Sequence, residues 1–156
     1  MRTVHPDALL EGRLVRAQKF VVEGRLMSLN EYVNINRSNP RKGNKAKREQ
    51  TELVMAYIRK ARVKPMDCPI EVGISWIEGR SRGGKLRDVD NIAFGAKFVL
   101  DALVECGTIP DDNPRIVRNV YNTFKFNAQD ARIEVVLMPY REEGRTVFYM
   151  PISGLE

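Results

Sequence analysis

The stretch PIEVGISWIE (69–78) constrains the fold more than any other. Ile70, Val72, Ile74 and Trp76 alternate with Glu71, Gly73 and Ser75, a period of two that sends the apolar set to one side of an extended chain. It reads as a half-buried strand, with Trp76 as a core residue rather than a base-stacking one. Such a strand needs partners along its edges and a second layer over its apolar face. The layer is offered just upstream. From about Lys45 to Arg62, the residues Ala46, Leu53, Val54, Tyr57, Ile58 and Ala61 fall on one helical face. Lys47, Arg48, Glu49, Glu52, Arg59 and Lys60 fall on the other, and Pro65 and Pro69 separate the helix from the strand.

The remaining elements follow from similar patterns. KFVVEGRLM (19–27) reads as a first strand, and SLNEYVNINRSNPRKGNK (28–45), rich in Asn, Ser, Pro and Gly, as a loop. GRSRGGKLR (79–87) is a glycine-rich basic loop. A second helix is expected from about Asn91 to Cys106, with Ile92, Ala96, Val99, Leu103 and Cys106 on one stripe and Gly107 as its stop. After the turn-rich TIPDDNP (108–114), strands at about Ile116–Phe126 and Ala131–Pro139 are joined by the short NAQD, which predicts an antiparallel hairpin. The expected fold is therefore α+β (mixed α/β), ordered strand, helix, strand, helix, strand, strand. It is a single domain over 19–140 with a sheet of about four strands and two main helices. Residues 1–18 form an extension and 141–156 a tail, whose apolar TVFYMPI (146–152) offers a contact surface, such as a dimer arm.

Composition narrows the chemistry. The chain of 156 residues can bury a real core, and no segment approaches the run of about 20 apolar residues that spans a bilayer. MRTVHPDALLEGRLVRAQK has no apolar core ahead of a small-residue cleavage site, so a signal peptide is not expected. Cys68 and Cys106 lie far apart without metal-ligand spacing, as expected of reduced thiols in a cytoplasmic protein. The single histidine, His5, argues against histidine-based catalysis or a His-rich zinc site. The net charge of +6 conceals a division. Met1–Arg87 holds nineteen Lys and Arg against nine Asp and Glu, whereas Asp88–Glu156 holds seven against eleven. A basic half suits a polyanion. An acidic half does not, unless cations hold its acids.

That acidic half opens with Asp88 and Asp90, one residue apart where a helix begins. Helix capping accounts for one acid, because Asp is favoured at the N-cap and in the first turn. It leaves the second, the following Asp111 and Asp112, and Lys97 without a role. If residues 86–90 are extended, Asp88 and Asp90 point the same way. If the 108–114 loop returns to them, Asp112 supplies a third carboxylate. Three carboxylates without His or Cys would suit a hard cation, Mg²⁺ or Mn²⁺, rather than zinc. Lys97, seven residues after Asp90 on one continuous helix, would share its face about 10 Å along the axis and stand as a point charge on a phosphate. Asp101, four residues further on, is placed to hold the lysine head. Asp111 reads as a supporting acid or a turn residue.

The segment RDVDNIAFGAKFVLDALVECGTIPDDNPRIV (87–117) resembles the central motif of the RusA family of Holliday-junction resolvases. That motif has a D-x-D-N pair, a lysine in the following helix, then D-A-L, a glycine and a closing acid pair before an apolar strand. Upstream, GRLMSLNEYVNINRSNP (24–40) is similar to the family's opening strand and S-L-N-x-Y loop, so the likeness covers roughly residues 20–140. The interval IAFGA between Asn91 and Lys97 is three residues longer than in the best-known bacterial form, as in many phage-type members. The resemblance implies catalytic, metal-binding acids at Asp88, Asp90 and Asp112, a functional lysine at Lys97 and a neighbouring polar residue at Asn91. It also implies a homodimer that binds four-way DNA junctions and makes paired Mg²⁺-dependent cuts in a bacterial or phage-infected cell.

DNA contacts are expected in two basic stretches. One carries Asn30, Tyr32, Arg37, Arg41, Lys42, Lys45 and Lys47, with Tyr32 the better base-stacking candidate. The other carries Arg80, Arg82, Lys85 and Arg87 among glycines, where guanidinium groups and backbone N–H groups could grip a strand. Two further readings stand beside the resolvase: a non-catalytic, structure-selective DNA-binding protein, and a metal-dependent phosphotransfer enzyme acting on nucleotides.

Overall fold

The computed structural model describes residues 8–10, 13–80 and 84–141. A short antiparallel pair, β1 (Ala8–Leu10) and β2 (Arg13–Val15), precedes β3 (Gln18–Glu23). There follow α1 (Leu29–Ser38), α2 (Pro40–Lys60), β4 (Ile70–Glu78), α3 (Val89–Ala93), α4 (Ala96–Glu105), β5 (Val117–Phe126) and β6 (Arg132–Pro139). The class is α+β, as expected, with a four-stranded mixed sheet ordered β3-β6-β4-β5. Arg82 and the tail segment 146–152 lie outside the described residues.

The helices cover one face of the sheet. Phe20 and Val22, Ile70, Val72, Ile74 and Trp76, and Ile133, Val135 and Leu137 enter one buried cluster with Val54, Met55 and Ile58 of α2 and Phe98, Val99, Ala102 and Leu103 of α4. Burying a large side chain such as Trp76, 1% exposed, is worth roughly 3 kcal/mol. The expectation of a half-buried β4 needs correction, because all nine of its residues are buried. It is a central strand, and its polar side is satisfied by neighbouring strands. Glu71 accepts from Asn119 Nδ2 (2.5 Å) and the Tyr121 hydroxyl (3.1 Å), while Ser75 shares a 3.0 Å hydrogen bond with Thr123.

Three further expectations are corrected. First, β5 and β6 do not form a hairpin: β5 pairs parallel with β4, and β6 lies antiparallel between β3 and β4. The parallel pairing requires a crossover, which α3 and α4 provide. The 127–131 connection then passes over the end of β4, where the Asn127 N–H donates to the Glu78 carbonyl at 2.8 Å. Gly79 makes room for it, since a Cβ there would stand 3.1 Å from the Ala131 Cβ. Partners on both sides suit β6, whose residues are mostly buried, and an edge suits β5, which exposes Val120, Phe124 and Phe126.

Second, residues 28–45 are helical rather than a loop. Ser28 and Glu31 form a reciprocal capping box at the start of α1. The Asn39 side chain caps α2 by accepting from the Arg41 and Lys42 N–H groups, with Pro40 in the first turn. Third, the helix expected from Asn91 to Cys106 is broken at Phe94–Gly95. The break sits where the chain presses on the sheet: a Cβ on Gly95 would lie 2.9 Å from the indole of Trp76. Gly107, with φ +72, ends α4 as expected.

Candidate metal and nucleic-acid site

Arg87 positions the start of α3. Its guanidinium donates to Glu78 through Nε (2.8 Å) and Nη2 (2.5 Å), and through Nη1 to the Leu26 carbonyl (2.8 Å). Glu31 lies 3.8 Å away. The expected DNA role of Arg87 is therefore corrected: its side chain is only 12% exposed and is committed to tying α3 to β4 and to the chain ahead of α1. Asn91, also buried, accepts the Asn30 N–H at 3.2 Å and joins α3 to α1.

With that frame fixed, Asp88 takes the N-cap position of α3 and Asp90 its first turn. Both are exposed. Asp88 makes no capping hydrogen bond with its side chain, so capping does not explain it. Asp88 is extended, with φ −69° and ψ 150°, but Val89 and Asp90 already belong to α3, so the extended run over 86–90 expected to point both carboxylates the same way is not formed. The start of α3 exposes two carboxylates, one residue apart in sequence, to solvent.

Lys97 lies in the first turn of α4. The break at Phe94–Gly95 separates it from Asp90, so the two do not stand on the one continuous helix expected from the sequence. The Lys97 Nζ donates to Asp101 Oδ1 at 2.6 Å, as expected. Hydrogen bonding to Asp101 raises its pKa above the ordinary value, against the opposing effect of partial burial, and the charges of Asp101 and Asp112 add to the rise. The 111–113 turn is thus brought within electrostatic reach of α4. Asp111 shapes that turn by accepting from the Asp112 N–H (2.7 Å) and Asn113 Nδ2 (2.6 Å), and these bonds hold its carboxyl below the usual range.

Asp88, Asp90 and Asp112 fit a hard cation in donor type, being all carboxylate oxygen. Among the described residues, however, no three His, Cys, Asp or Glu side chains stand together closely enough to hold one ion. The expected three-carboxylate convergence is not formed by the side chains as they stand.

The basic residues differ in exposure and in partners. Arg37, Arg41 and Lys42 are exposed on α1 and at the start of α2. Lys45 lies 3.8 Å from Glu49, and Lys47 lies 3.8 Å from Asp101 across to α4. Tyr32 is corrected from a loop residue to a half-buried helical one, its ring stacked on Phe94 at 5.5 Å, which leaves it poorly placed to stack on a base. Arg80 and Lys85 flank the glycine-rich segment and are exposed. Sequence reasoning missed the cross-helix pair Lys47–Asp101, since nothing in the spacing shows that α2 and α4 meet there. No helix among the described residues is long and apolar enough to cross a membrane. Comparison of the chain with protein-family models and with curated proteins finds no match, so the RusA resemblance stands on its motif alone.

Proposed function

We propose that this protein is a Mg²⁺-dependent endonuclease of the RusA type, acting as a homodimer on four-way DNA junctions. One observation carries the reading: Asp88 and Asp90, one residue apart at the start of α3, are both exposed, and the Asp88 side chain makes no capping hydrogen bond. In this reading the two carboxylates are ligands for a divalent cation. Asp112, on the turn facing α4, is the third ligand in this reading. A Mg²⁺ ion held by Asp88, Asp90 and Asp112 would supply Lewis-acid activation of a phosphoryl oxygen and of an attacking water. The chain's own contribution is placement. Arg87 and Asn91 fix the acids against β4 and α1, and Lys97 offers a positive charge to the phosphate in flight. The exposed cations of α1 and α2 neutralise flanking phosphates.

The test is incubation with a synthetic four-way junction and a matched linear duplex, with and without Mg²⁺. Paired cleavage of the junction alone, requiring the metal, is the expected result. Junction binding that survives EDTA with no cutting would favour a structure-selective binding protein. Turnover of nucleotides would favour a phosphotransfer enzyme.

A further inference from the structure

The seam between α2 and α4 carries two ionic cross-links, from consecutive residues of α2 to residues one helical turn apart on α4, and they are unlike. At one, Arg48 Nη1 donates to both oxygens of Glu105 (2.9 and 3.1 Å) while its Nε donates to Glu52 (2.7 Å). One cation is shared by two anions. At the other, one anion is shared by two cations: Asp101 Oδ1 takes Lys97 at 2.6 Å and Oδ2 faces Lys47 at 3.8 Å. Asp101 is the more covered partner, its side chain 21% exposed against 47% for Lys97 and 40% for Lys47. Asp101 thus joins one lysine from each helix through its two oxygens. Asp112 acts on Lys97 through its charge, without a hydrogen bond.

From this arrangement we infer that Lys47 and Lys97 form a single phosphate clamp spanning α2 and α4, with Asp101 as the positioning residue that holds the two ammonium groups side by side. The inference rests on the nuclease reading for its substrate, a DNA phosphodiester, and adds Lys47 to the lysine implied by the motif. A phosphodiester carries one charge on two non-bridging oxygens, which two neighbouring ammonium groups can grip together. Isolated exposed lysine–carboxylate pairs add little stability, whereas holding a charged group in place before the phosphate arrives removes reorganisation from the reaction. The rigidity comes from the buried cluster in which Val54, Met55 and Ile58 of α2 meet Phe98, Val99, Ala102 and Leu103 of α4.

The test follows the lysine side-chain signals by NMR in the full chain during titration with a short DNA duplex in metal-free buffer, alongside steady-state junction cleavage. Lys47 and Lys97 should shift together, at one apparent affinity. In Asp101→Asn they should respond separately, and kcat should fall about tenfold while KM stays level or drops. Asp101→Glu should restore part of kcat. Glu105→Gln, which removes the exposed ion pair of the same seam, should leave Tm nearly level and show no such kcat–KM split. A duplex that shifts only one lysine or neither overturns the clamp. So does an Asp101→Asn variant that cleaves with wild-type kcat and KM. If both lysines shift together but the wild-type chain cuts no junction, the clamp stands and the nuclease reading falls.

Discussion

Arg87 closes on Glu78 through two hydrogen bonds of 2.5 and 2.8 Å, and this ion pair ties the start of α3 to the end of β4. Both side chains are largely covered, 12% and 7% exposed. Removing one partner would leave the other charge buried without compensation. Arg87→Ala is expected to cost about 3–5 kcal/mol, read as a fall in the urea midpoint at unchanged m-value. A loss below about 1 kcal/mol would show that water reaches Glu78 freely.

Glu31 gives the stability a pH dependence. Partial burial alone would raise its pKa, but hydrogen bonds from Ser28 and the charges of Arg25 and Arg87 outweigh burial and hold it below the ordinary 4.5. A depressed acid contributes stability above its unfolded pKa and loses it as pH falls through the folded value. Acid unfolding should therefore carry a component beginning near pH 4.5 and extending downward. Glu31→Gln should remove that component while lowering stability at pH 7, as followed by far-UV circular dichroism across a pH series.

Gly95 sets how closely the α3–α4 break approaches the sheet. Gly95→Ala would press a methyl group against Trp76, where the added Cβ meets the indole at 2.9 Å. Overpacking of this kind costs about 1–3 kcal/mol, and the Trp76 fluorescence should report it directly. An unchanged spectrum and unchanged stability would mean that the indole shifts without strain.

Arg41 and Lys42 are exposed at the start of α2. If they contact phosphates, replacing each by Ala should weaken junction binding and reduce the slope of log affinity against log salt by about one per residue. Fluorescence anisotropy at several salt concentrations measures both. A loss of affinity at unchanged slope would assign them to something other than phosphate neutralisation.

What the sequence made legible follows from how local each signal is. The period-two run of β4, the amphipathic second half of α2, the Gly107 stop and the Lys97–Asp101 pair all depend on neighbours within a few residues, and all appear in the structure. The capping box at Ser28 and the Asn39–Pro40 start were equally local, but the Asn- and Ser-rich composition around them read as loop. The order β3-β6-β4-β5 was not legible, because a short connection between β5 and β6 ordinarily means a hairpin. Only the passage beside Gly79 lets it cross the end of β4 instead. Of the candidate site, the place of Asp88 and Asp90 at a helix start was legible. The engagement of Arg87 with Glu78 and the approach of Lys47 to Asp101 depend on tertiary packing that no spacing records.

The most direct test of the central claim replaces Asp90 by Asn and measures cleavage and junction binding on the same preparation. Loss of Mg²⁺-dependent cutting with unchanged or tighter binding is expected, because the variant lacks a metal ligand and a charge that repels phosphate. Cleavage at the wild-type rate would contradict the assignment of this aspartate pair to the reaction.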